Sequence, residues 1–441
     1  MKYKMSRFTN IIEKGEDYVL HNTISGSLMR VYDGEHKKII DNLKEKEMFD
    51  LDEEKEISDP EFIDVLKDNN MIVIYAEDEM ATLNQLFYDY ENDGSMEITL
   101  IVTRLCNFKC PYCYEESENK KLTKDIYDNV IDYIINKIEN NGINRVHVSF
   151  FGGEPTLEAK NIIQFMKNLN KRNSELSKPA NINGGITTNG YLLTKDMVDD
   201  FLKCKISFYQ ITIDGFPETH NKSRILADGS GTWDRIIENV KYFKTKEENF
   251  TVTLRGNVTP SMYEKMDEWL DFINDNFGDD KRFNVHFETA KDLGVMKDSS
   301  IDLCTDENKI VTSIINKVIE KKINMDLSHM DLSRFSMVCY AAKKNSMVVD
   351  WDGTIKRCTS TVLDHPLNCC GNIKDEISID DYKLSAAWTS YELLDKCIKC
   401  KMLPICYGKR CPASECSPSS CDNMESLYYA GIDNLLRNYK E

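Results

Sequence analysis

Three cysteines stand close together in the segment TRLCNFKCPYCYEE, spaced Cys106-x3-Cys110-x2-Cys113. Thiolates are natural ligands of iron-sulfur clusters, and three of them on a cubane of four irons leave one iron open for a substrate or cofactor. A zinc knuckle would use the same residue type, but structural zinc closes with four ligands and no fourth Cys or His stands nearby. A second group is larger: ten of the 15 cysteines crowd into residues 339–421. They run Cys339-x13-Gly353-x4-Cys358, then Cys397-x2-Cys400-x5-Cys406-x4-Cys411 with Cys421 beyond, and Cys369, Cys370 and Cys416 fall within the same region. Zinc ribbons also use C-x2-C pairs and are the bland alternative here. Cys204 ends the amphipathic pattern MVDDFLKC and reads as core.

Residues 92–290 must position the first group, and they alternate short β-rich runs with amphipathic helices, the pattern of repeated βα units. The strand candidates are MEITLIVT, RVHVSFFG, INGGITT, SFYQITID, FTVTLRGNVT and RFNVHFET. Thr123 is placed to cap a helix whose Ile126, Val130, Ile131, Ile134 and Ile138 share one face, and Asn141-Gly142 stops it. Six such strands predict an incomplete parallel barrel, in which chemistry collects where strands end. The polar and Gly-rich signals do follow strands: Cys106 onward, Gly152-Gly153, Thr188-Asn189-Gly190 and Asp214-Gly215.

With these residues in register, the chain resembles the radical S-adenosylmethionine (SAM) superfamily. The resemblance implies a 4Fe-4S cluster on Cys106, Cys110 and Cys113 that binds SAM and cleaves it reductively to a 5'-deoxyadenosyl radical. It further implies that Gly152, Gly153, Glu154 and Pro155 meet the methionine amino group, Thr188 and Asn189 the ribose, and Tyr112 the adenine. Thr212, Asp214, Arg224, Arg255 and Asn257 correspond to positions lining the same pocket. The C-terminal cysteines resemble the SPASM extension of peptide-modifying members. In those terms Cys397, Cys400, Cys406 and Cys421 hold a distal auxiliary cluster, and Cys339, Cys358 and Cys411 a proximal one. The last gap is x4 where the family has x3, and Asn345 stands where some relatives place a fourth proximal ligand. Either that cluster keeps an open iron, able to take a substrate thiolate, or Cys370, Cys369 or Cys416 closes it. The fold expected is α/β: a partial (β/α)6 TIM-like barrel over residues 92–330, an N-terminal winged-helix-like domain over 1–88 and a SPASM iron-sulfur domain over 335–441.

In the N-terminal stretch DYVLHN and SLMRVY flank Ser25-Gly26 as a hairpin, GEHKKIIDNLKEK and PEFIDVLKDNN read as helices, and MIVIY as a strand. The acidic run EMFDLDEEKE reads as a solvated loop. This unit resembles the leader-binding element of peptide maturases, which receives a leader as an added strand. A dimerisation or lid domain is the alternative. His147 and His286 read as structural histidines, since the seven histidines form no metal-like pair. A net charge of -18 excludes a sequence-independent grip on nucleic acid. No signal peptide and no run of about 18 apolar residues predict a cytoplasmic protein, where cysteines mark metal or catalysis rather than disulfides. The expectation is a radical SAM enzyme with SAM and three 4Fe-4S clusters. Its substrate is a precursor peptide with a leader, and its electron donor is flavodoxin or ferredoxin. The leading product is a thioether crosslink from a Cys; a carbon-carbon or other crosslink and formylglycine formation in a sulfatase are the runners-up. A non-enzymatic iron-sulfur or zinc scaffold is the rival class.

Overall fold

A computed structural model describes residues 1–51, 59–291, 303–326, 331–359, 368–375, 386, 388–389, 393–408 and 419–438. The chain divides into two compact units. The first combines Met1–Asp93 with Ser328–Cys339 and Tyr391–Arg410; the second holds Gly94–Leu327, Tyr340–Ser390 and Cys411–Glu441.

In the first unit β1 (Lys2–Met5) lies antiparallel between β5 (Phe49–Asp50) and β6 (Ile72–Ile74). Strands β2 (Thr9–Lys14), β3 (Asp17–Asn22) and β4 (Leu28–Val31) form an antiparallel meander. Helices α1 (Gly34–Lys44), α2 (Pro60–Asp68) and α3 (Glu79–Glu91) each start at an aspartate, Asp33, Asp59 or Asp78, whose carboxylate accepts from first-turn N–H groups. These caps satisfy donors that a helix leaves unpaired. Ile39, Ile40 and Leu43 of α1 and Phe62, Ile63 and Leu66 of α2 face one core.

The expected hairpin, two helices and closing strand are all present, with β1, β2, β5 and α3 in addition. The acidic run is corrected in part. Phe49 is buried against Tyr3, with ring centroids 6.3 Å apart, and burying one such ring offsets the cost of ordering its charged neighbours. Residues 52–58 lie outside the described chain.

Residues 393–408 belong to this unit through specific bonds. The Lys401 ammonium donates to the Thr9 carbonyl at 2.9 Å, the Thr23 hydroxyl to the Lys401 carbonyl at 2.5 Å, and the Tyr407 hydroxyl to Asn84 at 2.7 Å. The Tyr407 ring stacks on Phe87 with centroids 3.7 Å apart, and Phe335 meets both edge-on.

The second unit is built on one nine-stranded sheet. Six parallel strands stand in sequence order: β7 (Ser95–Thr103), β8 (Arg145–Gly152), β9 (Asn181–Thr188), β10 (Ile206–Thr212), β11 (Thr251–Val258) and β12 (Phe283–Thr289). Helices α4 (Lys124–Asn141), α5 (Ala159–Ser174), α6 (Lys195–Lys203), α7 (Pro217–Ser223), α8 (Trp233–Phe243), α9 (Pro260–Tyr263), α10 (Met266–Phe277) and α11 (Glu307–Glu320) connect or follow them. All six expected strands are found, in the arrangement of a partial barrel. Thr123 does precede α4, but its hydroxyl engages the Asp125 carboxylate rather than a backbone N–H.

Alternate residues make two faces. Val146, Val148 and Phe150 of β8, like Val252 and Leu254 of β11, are buried, as are Ile162, Phe165 and Val240 of the helices. Each such side chain contributes roughly 2 kcal/mol. The other face is polar: His147 and Ser149 on β8, Thr187 on β9, Gln210 on β10, Thr253 on β11. Past β7 the sheet continues with β13 (Ser346–Val349), parallel to β7, and the antiparallel β14 (Thr354–Lys356) and β15 (Gly371–Asn372). Part of the cysteine-rich C-terminal region thus extends the barrel sheet.

Candidate active site

The loop carrying the first three cysteines leaves β7 and is tied to the ends of β8 and β9. Gly153 N–H donates to the Thr103 carbonyl and Glu154 N–H to the Leu105 carbonyl, both at 2.9 Å. Gly152 has φ of +123°, and a Cβ on Gly153 would lie 2.5 Å from the Leu105 oxygen. Only glycine permits both the left-handed backbone and the close approach. Glu154 is fully buried, and its carboxylate accepts from the Thr156 N–H at 3.0 Å, the Thr188 hydroxyl at 2.6 Å and the Asn189 N–H at 2.7 Å. The Asn189 amide in turn donates to Asn107 inside the cysteine loop at 2.8 Å.

Burial pushes the Cys106 thiol up to about 12 and the Cys110 thiol to about 11, and the neighbouring thiols repel further negative charge. Three partly buried thiols on one short loop, with no carboxylate or imidazole among them, suit a soft, highly charged metal group that displaces their protons. Among the described residues no group of three His, Cys, Asp or Glu side chains converges as a single-ion site would.

Beside the thiols lies a hydrogen-bonded knot. The Tyr112 hydroxyl donates to Asp214 at 2.5 Å and accepts from Arg224 at 2.8 Å and from the Asn257 amide at 3.2 Å. Asp214 also accepts from the Asn257 N–H and the Ser223 hydroxyl. Burial raises the Tyr112 pKa well above its ordinary value, keeping the phenol protonated. Burial alone would lower the Arg224 pKa, but Tyr112, Cys110 and Asp214 hold it above its usual range. A protonated guanidinium thus stays beside the cysteine loop.

His220 supports this knot and was not read from the sequence. Its Nδ1 accepts from the Asp214 N–H at 3.1 Å, so its Nε2–H donates to the Thr232 hydroxyl at 3.0 Å, and Thr232 donates to the Arg224 carbonyl at 2.7 Å. Burial depresses the His220 pKa well below 6.5, so the ring stays neutral. The His220-x3-Arg224 spacing, one helical turn, was the available signal.

The structure therefore brings Tyr112, Asp214, Arg224 and Asn257 into direct contact, and Glu154, Thr188 and Asn189 into a second knot. Thr212 pairs in register with Arg255 at the same end of the sheet, and Pro155 opens the turn Pro155–Glu158. In the C-terminal region Cys358 is held by Asn368, whose side chain accepts from the Cys358 N–H at 2.9 Å and donates to its carbonyl at 3.0 Å. Tyr114, one residue after Cys113, donates to the Thr359 carbonyl at 3.2 Å. Cys370 is buried in the apolar core with Ile355 and Ile373, whereas Cys369 is exposed. Cys339 and the Cys397, Cys400 and Cys406 segment lie in the first unit, and Cys421 lies in the second. Cys411 and Cys416 lie outside the described residues.

The profile of the radical SAM superfamily matches residues 100–273, the stretch that carries the cysteine loop and both knots. This part of the chain is a radical SAM domain. The family uses SAM and a 4Fe-4S cluster. The chain is 26% identical over 345 residues to the radical SAM cyclopropyl synthase TigE of Paramaledivibacter caminithermalis, covering 72% of this chain and 67% of that protein. To the cysteine-type anaerobic sulfatase-maturating enzyme of Clostridium perfringens it is 24% identical over 360 residues, covering 76% and 92%. Among solved structures, anSMEcpe with bound AdoMet and Kp18Cys peptide superposes with a TM-score of 0.61 at 18% identity, over 78% of this chain and 98% of that one. SuiB of Streptococcus suis superposes with a TM-score of 0.52 at 16% identity, over 93% and 96%. These likenesses extend the shared fold beyond the radical SAM domain. Among the described residues no helix is long and apolar enough to cross a membrane.

Proposed function

We propose that the chain is a radical SAM enzyme that modifies a ribosomally synthesised precursor peptide, with a thioether crosslink from a substrate Cys as its leading product. The observation carrying this is the association of a radical SAM domain with a cysteine-rich C-terminal region and a small N-terminal sheet unit. Support comes from SuiB, solved bound to its precursor peptide SuiA, and from anSMEcpe, solved with a peptide.

Cys106, Cys110 and Cys113 would hold the 4Fe-4S cluster, with the ends of β8 and β9 and the Tyr112 knot arranged around SAM. When bound, this pair supplies a reductive cleavage that yields a 5'-deoxyadenosyl radical, able to take hydrogen from a peptide carbon. The protein's own work is orientation and exclusion of water. The Glu154 knot fixes the cysteine loop against the strand ends, and Arg224 keeps a positive charge beside it. Cys397, Cys400, Cys406 and Cys421 are proposed for a distal auxiliary cluster and Cys339, Cys358 and Cys411 for a proximal one. Cys369, Cys370 and Cys416 are the candidates for its fourth ligand. Flavodoxin or ferredoxin would supply electrons, and residues 1–88 would receive the leader beside an outer strand, β2 or β4, of the three-stranded meander.

The test is anaerobic reconstitution with SAM, reductant and a short Cys-containing precursor encoded nearby. Thioether formation removes two hydrogens from the precursor and consumes its thiol, with one 5'-deoxyadenosine per crosslink. A product that loses two hydrogens but still alkylates at every Cys assigns a carbon-carbon or other crosslink instead. Formylglycine, the reading favoured by the Clostridium perfringens relative, would appear as an aldehyde that reacts with hydrazide. No SAM cleavage by an iron-replete sample would overturn the enzymatic reading altogether.

A further inference from the structure

Away from the strand ends that carry the cysteine loop, the inner face of the sheet opens into a cavity of about 130 Å³. It spans β8 to β11 and is lined by His147, Ser149, Gly185, Phe208, Gln210 and Thr253, among others. An enclosed cavity of about 150 Å³ holds a benzene ring, and this somewhat smaller one is open to solvent, so a ring can seat in it without being fully enclosed.

Two features give this cavity a specific chemistry. Phe208 is 44% exposed, an apolar ring facing open space in an otherwise polar lumen. The His147 ring meets it edge-to-face with centroids 5.4 Å apart. Gly185 pairs in register with both Ser149 and Phe208. A glycine inside a strand weakens it and marks a close approach. Here a Cβ would lie 3.1 Å from His147 Nε2 and 3.3 Å from the Phe208 Cβ. The missing side chain is what lets the two rings meet above the strand. His147 Nδ1 is bonded to the Asn183 amide oxygen at 2.5 Å and therefore carries the hydrogen, which leaves Nε2 as an acceptor over Gly185.

We propose that this cavity is a recognition pocket for an aromatic side chain that carries a hydrogen-bond donor, the ring lying on Phe208 and the donor reaching His147 Nε2. Thr253 and Asn257 stand four residues apart on the same face of β11, about 13 Å, and Asn257 bonds Tyr112 in the cysteine loop. An extended peptide covers that distance in about four residues. The pocket would then read a peptide side chain about four positions from the carbon that is modified. That last step rests on the peptide-modifying reading above; the ring-binding chemistry does not.

The test uses full-length protein and ligand-observed NMR titrations with capped amino-acid amides. N-acetyl-tyrosinamide should bind about fivefold more tightly than N-acetyl-phenylalaninamide, the worth of one hydrogen bond. N-acetyl-leucinamide should bind more weakly than either. His147→Phe should erase the tyrosine-over-phenylalanine preference while retaining ring binding, and Phe208→Ala should weaken both aromatic probes by about tenfold. Equal binding of the tyrosine and leucine compounds, or a preference that survives His147→Phe, would overturn the pocket. Free tyrosine binding more tightly than the capped amide would overturn its assignment to a peptide. SAM cleavage measured on the same samples reports separately on the enzymatic reading, which can stand or fall without the pocket.

Discussion

Glu154 is the side chain on which most of the site's geometry converges, because one fully buried carboxylate serves donors from the Pro155 turn and the end of β9. Glu154→Gln keeps the shape but sets an amide N–H against donors that need an acceptor. Hydrogen bonds to a buried charge contribute about 2 kcal/mol or more. The expected outcome is a loss of about 2 kcal/mol in denaturant unfolding together with loss of SAM cleavage; an unchanged unfolding midpoint would contradict it. A second residue-scale prediction concerns acid. Burial holds the His21 pKa down to about 4, against 6.5 for an exposed imidazole. A depressed histidine is neutral in the folded state, so the unfolded chain binds more protons between those values. Stability is therefore complete above pH 6.5 and falls as pH drops toward 4, by about 3 kcal/mol at roughly 1.4 kcal/mol per pH unit. His220, depressed by burial as well, acts in the same direction. Thermal unfolding measured from pH 7 to pH 4 should show His21→Gln losing less stability over that range than the native chain.

At the scale of elements, the turn between β13 and β14 is tied to the cysteine loop by an ion triad centred on a buried carboxylate. Asp350 accepts from Arg104 at 2.5 Å and from Lys356 at 2.8 Å, and both Asp350 and Lys356 are buried. Arg104 lies two residues before Cys106. Removing the carboxylate would take from the buried Lys356 ammonium and the partly exposed Arg104 guanidinium the partner they share, and breaking a buried ion pair costs about 3 to 5 kcal/mol. Asp350→Ala is therefore expected to lower the unfolding free energy by that amount and to reduce iron bound at Cys106, Cys110 and Cys113; unaltered iron content would show the loop to be independent of the hairpin. The six strands of the barrel were legible because their two faces alternate locally. The same alternation placed Gly152-Gly153 after a strand, but it could not show that Gly153 must fit against the Leu105 carbonyl, since that oxygen belongs to another strand's loop.

For the molecule as a whole, the composition of the first unit matters most. Residues 393–408 pack with the N-terminal sheets and α3, so Cys397, Cys400 and Cys406 belong to the same compact unit as the sheet proposed to receive a leader. Deleting residues 1–88 would strip that segment of Thr9, Thr23 and Phe87. The truncated protein is expected to lose about a third of its iron as well as any leader affinity, if three clusters of equal size are bound. Conversely, Cys397→Ala with Cys400→Ala should make residues 1–93 more sensitive to limited proteolysis. Full iron in the truncated protein, or unchanged cleavage of the double variant, would separate the two functions. By contrast, changing Cys106, Cys110 and Cys113 together to Ala should abolish SAM cleavage and leave roughly two-thirds of the iron.

By itself the sequence determined the βα repeat, the helix faces and the cysteine spacings, because periodicity and metal-ligand spacing are written within a few residues of one another. It also carried the residues of both knots, through a resemblance that lined up Gly152–Pro155, Thr188-Asn189 and Asp214 with the cysteines. Only the tertiary structure decided what those residues touch. Tyr112 spends its hydroxyl on Asp214, Arg224 and Asn257, which lie more than a hundred residues away in sequence. His220 became visible as a neutral support, and Cys370 was separated from Cys369 by burial. The joining of residues 393–408 to the N-terminal sheet was equally out of reach, because contacts between distant segments are set by how whole faces pack, and no local period encodes them.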